Sequence, residues 1–545
     1  MDNLRLILLA ILGMFLLLLW QAWQRDYGAV SFPVPQQADQ ARTDTPPVTG
    51  TPEATSQGTE ATLSDGQTVS VRTDVFDVTI NKQGGVIQQV KLIQYPVAAN
   101  TPGDPFVLLT HSEDKVFIAQ SGLKSTDTAP DHQARYESSA DSYQLGPGQG
   151  RLEVPLTWRS EDGVEVSKVY VFTRGRYLLD IEYDITNRGT GDWTGRQFHQ
   201  LQRGGNEASS GFIYTYTGVA ISTPDKPYEK YKYKDLQEKR LDVDITGGWA
   251  AILQHYFVTA LVPDPKATYH YYSKILEGTN RYLVGLYGPE ITIAPGETGQ
   301  AKMRMYMGPK IQAELERIAP HLELTVDYGW LWFIGKPIFW ALDYLHGLTG
   351  NWGVAILLIT LIIKLLFFQL SAASYKSMAR MKRLQPRLEA IRERLGDDKM
   401  AMNQAIMDLY KAEKVNPFGG CLPIFVQVPV FIALYWVLLE TVEMRQAPFG
   451  WIQDLSIPDP WFILPLVMGI SMFIQYKLNP TPVDPVQQKV FQILPIAMSI
   501  FFAFFPAGLV LYWVANNILS ITQQWFINRR YGEAARPVKS VKEEY

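Results

Sequence analysis

Residues 356–370 read ILLITLIIKLLFFQL. The run is apolar enough to enter a bilayer, yet Lys364 lies past its middle. A charge at the bilayer centre costs about 2.5–3.5 kcal/mol on insertion scales. The first expectation is therefore a membrane-spanning helix that carries its charge for a reason. Lys364 lies six residues from Leu370, roughly 9 Å of helix, so its stem can also snorkel toward headgroups. Thr360 is one turn earlier, on the same helical face.

Further apolar runs follow along the chain. A span needs roughly 17–20 apolar residues. The pattern predicts spans at 348–371, 420–442, 461–478, 490–505 and 508–527, and an uncleaved anchor at 1–24 because no small-x-small cleavage site follows its apolar run. Pro506, Ala507 and Gly508 divide the last two spans, since proline removes a donor and glycine permits a turn. Residues 25–60 are rich in Pro, Thr, Gln and Ala and predict a flexible linker.

Residues 61–320 have a different pattern. TVSVRTDVFDVTINKQGGVIQQVKLI alternates apolar and polar residues around the turn signal NKQGG. Similar units recur up to MRMYMG, which predicts a large all-β sandwich. KIQAELERIAPHL then predicts a short helix. Residues 321–347 are aromatic-rich and predict an amphipathic helix along the membrane surface, with a helix buried against the β-domain as the alternative.

Charge orients the chain. Residues 372–419 carry Lys376, Arg380, Lys382, Arg383, Arg387, Arg392 and Arg394, and the tail 528–545 carries Arg529, Arg530, Arg536, Lys539 and Lys542. The loop 443–460 has Arg445 alone, while 479–489 is a short connection. Basic short loops face the cytoplasm, so both termini are expected there and the β-domain across the membrane. Within 372–419, Met378, Met381, Leu384, Leu388, Ile391 and Leu395 share a helical face, and Met402, Ile406, Leu409 and Tyr410 continue the seam. This predicts a helical hairpin, stopped at Gly396, restarted at Asp397-Asp398 and bent by Pro386.

Composition excludes several classes. A net charge of −4 over 545 residues offers no global field for nucleic acid. The single cysteine, Cys421, forms no internal disulfide and suits small apolar packing, and no Cys/His cluster offers a metal site. A transporter or channel with a basic intramembrane site is the main rival reading, but it wants an acidic coupling site or inverted repeats. An intramembrane enzyme wants His-Glu-x-x-His, Gly-x-Ser-x-Gly or paired aspartates, and these are absent from the spans. A passive scaffold explains the β-domain but not Lys364.

The remaining polar residues in the spans are Gln427, Asn516, Asn517 and Ser520. Each suits an interhelical hydrogen bond; with Lys364 and Thr360 they fit a hydrated, positively charged cavity. The aromatics Phe425, Phe431, Tyr435, Phe501, Phe502 and Phe505 suit lipid-facing bulk or an apolar face for a passing helix. The 490–505 span is short, and short spans thin the bilayer.

GDDK, LYKAEKVNPFGGCLPIFVQVPVFIALYWVL, VEMRQAPF, DPVQQK and FPAGLVLYWVANN closely resemble motifs of the YidC/Oxa/Alb family of membrane protein insertases in its Gram-negative form. The resemblance implies six transmembrane helices with a five-helix core and a periplasmic β-supersandwich. It implies insertion and folding of inner-membrane proteins, alone or beside the Sec translocon, without a cofactor or nucleotide hydrolysis. It also implies a groove open to the cytoplasm whose positive residue attracts acidic client tails. Most of the family has arginine there; this chain has Lys364, which keeps the charge and loses the planar fork. Gln427 and Trp513 match other groove positions. The hairpin, with Arg380, Lys382, Arg383, Arg387, Arg392 and Arg394, resembles the element that meets clients, ribosomes and targeting factors.

Overall fold

The computed structural model describes residues 67–112, 115–204, 215–233, 235–276, 280–395, 398–413, 415, 422–479 and 485–532. The predicted anchor, the linker, Gly396, Asp397, Cys421 and residues 533–545 of the tail lie outside these residues.

Alternation becomes sheet as the sequence pattern predicts. Strand Leu178–Asn187 alternates half-buried and buried residues along its whole length, which is the period-2 pattern of a strand with one core face. Among the described residues the strands form an eleven-stranded and an eight-stranded sheet. Pairing is antiparallel except where Thr68–Arg72 lies parallel to Ser142–Gln144. The NKQGG turn joins Phe76–Asn81 to Val86–Pro96. Gly84 and Gly85 hold φ of +70° and +58° there, a region that disfavours a Cβ. The two sheets enclose one core, with Trp193, Trp249, Tyr183, Phe76 and Phe172 fully buried.

One cation is sealed inside this core. Lys168 takes the inward register between Val166 and Tyr170 and is 0% exposed. Its Nζ donates to the carbonyls of Gly84 at 2.9 Å, Ser121 at 3.0 Å and Gly85 at 3.3 Å. The rings of Tyr136, Tyr170 and Tyr183 surround it at 5.3–5.6 Å. Burial pushes the amine well below its ordinary range, whereas three carbonyl acceptors call for the three donors of an ammonium.

Helix α1 (Gln312–Ile318) leaves the sandwich. Two short 3₁₀ turns precede α2 (Trp332–Thr349). α2 buries Gly335, Ile338 and Leu342 and exposes Trp332, Phe333, Trp340, Tyr344 and Leu348. That aromatic outer face is the amphipathic pattern suited to a membrane surface.

The helical core follows as α3 (Trp352–Leu366), α4 (Phe368–Arg383), α5 (Gln385–Leu395), α6 (Lys399–Ala412), α7 (Leu422–Glu440), α8 (Ile463–Leu478), α9 (Pro485–Phe502) and α10 (Ala507–Gly532). The sequence pattern placed a span over 348–371; α3 instead ends at Leu366 and the chain bends by 68° into α4. Among the described residues no single helix is long and apolar enough to cross a membrane, while the bent pair α3–α4 passes by length and composition together. The bend separates the apolar run from the basic hairpin. The hairpin itself packs Leu384, Leu388 and Val415 with Met381, Ile406, Leu409 and Tyr410. Asp398 caps α6, accepting from Met400 N and Ala401 N at 3.0 Å. The break between α4 and α5 falls at Leu384, just before Pro386.

At the opposite end, the loop between α7 and α8 ties helix ends together. Pro448 O accepts from Asn351 Nδ2 at the start of α3, and Leu455 O accepts from Gly508 N at the start of α10. Asp459 caps α8, accepting from Leu464 N at 2.7 Å. Gly353 allows this closure, because a Cβ there would lie 2.1 Å from the Phe449 ring.

Candidate functional site

The site starts from helix ends. Asn351 accepts from Val354 N and starts α3, which sets Thr360 and Lys364 one turn apart. On α10, Asn516 and Ser520 are four residues apart and share a face. Lys364 Nζ donates to Ser520 Oγ at 2.7 Å. The Ser520 hydroxyl donates in turn to Asn516 O at 2.6 Å, leaving its lone pairs for the ammonium. Gln427 Nε2 donates to Asn516 Oδ1 at 2.6 Å. Lys364, Gln427, Asn516 and Ser520 thus form one polar group linking α3, α7 and α10.

Thr360 stands apart from that group. It is 1% exposed, and its hydroxyl donates to Ile356 O of its own helix at 2.6 Å. Trp513 sits on the aromatic side, edge-on to Phe431 at 4.6 Å and tilted against Phe502 at 5.2 Å. Asn517 turns the other way and donates to Ser471 Oγ on α8 at 3.0 Å.

An ammonium has three donors. Ser520 uses one, and no carboxylate pairs with Lys364 among the described residues. The side chain is half-buried, so it combines partial access with an unneutralised charge. The lysine stem runs to α10 rather than onward to the end of α3.

Tyr375 was missed by sequence reasoning. It lies on α4, beyond the bend, half-buried and facing Ser520. Ser371 and Ser374 are also buried on that helix, and Gln523 Nε2 donates to Phe368 O at 3.1 Å. The small polar residues of 371–375 are the available signal, hidden because the boundary at 371 leaves all but Ser371 to the basic hairpin.

The aromatic set divides. Phe502 is 4% exposed and belongs to the helix core, whereas Phe501 is 44% exposed. Phe431, Tyr435 and Phe505 are half-buried, with Phe505 against Phe501 and Phe502 at 4.7 and 5.1 Å. The side chain of Phe425 lies outside the described residues. On the hairpin, Arg380, Lys382, Arg383, Arg392 and Arg394 are exposed. Arg387 pairs with Glu413 at 2.7 Å, and Lys382 Nζ reaches the Lys477 carbonyl at the end of α8 at 3.4 Å.

Two family models match consecutive blocks of the chain. Residues 68–341 match the YidC periplasmic domain, and residues 344–534 match the 60Kd inner membrane protein. A membrane protein insertase YidC of Thioalkalivibrio sulfidiphilus is 48% identical, with 98% of this chain and 100% of that one covered.

The chain belongs to the YidC membrane protein insertases.

A second YidC, from Nitrosococcus oceani, is 46% identical over 97% of this chain and 99% of its own length. A solved structure of an active YidC insertase with its first transmembrane domain resolved aligns at 17% identity and a TM-score of 0.41, covering 84% of this chain and 92% of that one. By the two family models, the β-sandwich with α1 and most of α2 matches the YidC periplasmic domain, and α3–α10 match the 60Kd inner membrane protein. Insertase is a non-enzymatic role.

Proposed function

We propose that the chain inserts inner-membrane proteins through the polar group around Lys364 and helps them fold, alone or with the Sec translocon. In this reading six transmembrane helices place both termini in the cytoplasm. The periplasmic domain lies opposite, and the basic hairpin receives clients from ribosomes or targeting factors. A client's polar tail enters a cytoplasm-open groove lined by Lys364, Gln427, Asn516 and Ser520. Its apolar helix passes along the aromatic side into lipid, driven by hydrophobic transfer.

The observation that carries the reading is the ammonium of Lys364, held by one neutral hydroxyl with no carboxylate paired to it among the described residues. A fixed positive charge in a partly desolvated site lowers the cost of moving an acidic tail off water. The test uses proteoliposomes and a client with an acidic tail. Lys364→Arg should insert at close to the parent rate. Lys364→Glu should lose at least about 10-fold, the factor that follows from about 1.4 kcal/mol of lost attraction. Equal insertion by the glutamate variant would remove the electrostatic role and revive the channel reading.

A further inference from the structure

Helix α7 ends where the sandwich begins to touch the core. The last turn of any helix leaves carbonyls without partners and carries partial negative charge. Here the next domain supplies the cap. His255, from the sandwich, donates through Nε2 to Leu439 O at 2.9 Å, and a carbonyl can only accept, so that nitrogen carries the proton. Glu440 adds a carboxyl group at the same helix end and is 4% exposed. Its partner is Lys310 of the sandwich, 2% exposed, with Nζ 3.9 Å from the carboxylate.

A second contact follows five residues later. Arg445 donates to Pro96 O at 2.6 Å and to Val97 O at 3.0 Å, and its guanidinium lies over the rings of Phe106 and Phe257. Gln446 donates to Pro96 O at 2.7 Å. Gln446 holds φ at +62°, a conformation that non-glycine residues rarely adopt and that persists where surrounding contacts over-determine it. The loop so held is the one that ties together the ends of α3, α8 and α10.

We propose that the periplasmic domain is a lock on the core: Lys310 and His255 cap α7, and the Pro96–Val97 edge holds Arg445 and Gln446, so that the 441–462 loop stays closed over the periplasmic end of the helices. The groove reading is independent of this lock, since the two share no residue.

The full-length chain tests it, with Cys421→Ser as background. In a cycle of Lys310→Met, Glu440→Leu and both together, each single variant leaves one buried charge alone and lowers the unfolding midpoint in detergent. The double variant removes both charges and recovers most of the loss. A double variant as unstable as the two single losses added, or single variants that melt like the parent, would overturn the ion-pair cap.

Closure is read separately by maleimide labelling of Ile452→Cys from the periplasmic side. Ile452 is 1% exposed and pairs with Phe449 through both backbone bonds. Arg445→Ala should raise its labelling rate about 10-fold by freeing the loop to open locally. Labelling at the parent rate in the alanine variant would show that the sandwich rests on the loop without holding it.

Discussion

The sandwich and the helical core each bury a lysine, and they treat it in opposite ways. Lys168 is wholly enclosed, meets three carbonyls and is walled by three tyrosine rings. Lys364 is half-buried and meets one hydroxyl. Both positions cost desolvation energy. In the sandwich that cost is offset locally, so the charge is part of the fold. In the core it is offset only in part, so the charge remains available to something that arrives. Burial of a cation is therefore a poor guide to function by itself; the count of its satisfied donors separates the two cases.

The two regions are separable only if the core can close its own end, and the largest predicted effect tests that. Deleting residues 62–313 removes His255 and Lys310, the groups that cover the end of α7 and Glu440. The bared carboxylate then opposes the negative end of α7, at about 0.3–1 kcal/mol, and the 441–462 loop is free to open. The deletion should therefore accumulate poorly, whereas the same deletion with Glu440→Gln should recover a folded core that inserts simple clients. Membrane-integrated yield and insertion in vesicles read the outcome. Equal yields with and without the glutamine would mean that the core closes its own end.

The next effect contrasts the two lysines directly. Lys168→Met takes a donor from three carbonyls, of which Gly85 O still accepts from the Tyr170 hydroxyl, and should lower sandwich stability by about 2 kcal/mol or more, at about 1–3 kcal/mol for each unsatisfied buried group. The folded fraction should still insert clients. Lys364→Met removes a charge that the fold satisfies only in part, so stability should change by less than about 1 kcal/mol while insertion of an acidic-tailed client falls. Thermal melts and insertion rates on both variants check the pattern. A Lys364→Met protein that unfolds as easily as Lys168→Met would make both lysines structural.

The sequence already contained much of this contrast. Alternation in VEVSKVYVF puts Lys168 in the inward register with Val166 and Tyr170, so its burial could be inferred, though not the carbonyls that meet it. The hairpin seam was legible because Leu384, Leu388, Ile406 and Leu409 follow helical spacing. The site was legible as a set of residue types and not as a geometry. Ser520 lies 156 residues from Lys364, and no local pattern states which helix face meets which. Thr360 illustrates the loss: its spacing allies it with Lys364, but its hydroxyl is satisfied within its own helix. The 68° bend was hidden for a related reason, since the apolar run continues through Phe367 and Phe368 without a proline or glycine to mark it.

The smallest effect concerns two neighbours on α9. Phe501 and Phe502 are adjacent in sequence and meet edge-on at 5.6 Å, yet one is 44% exposed and the other 4%. Phe502 packs on Trp513 of α10. A client helix moving along the outer aromatic surface would touch Phe501 and pass over Phe502. A photo-crosslinker at 501 should therefore capture the client's transmembrane segment several-fold more often than one at 502, which should report contacts within the core. Little stability is at stake at the exposed position, because a surface substitution usually changes it by no more than about 0.5 kcal/mol. Stronger capture at 502 would mean that the helices part during insertion and expose what is closed at rest. The core would then resemble the sandwich less in rigidity than its packing suggests, and the client path would run between α9 and α10.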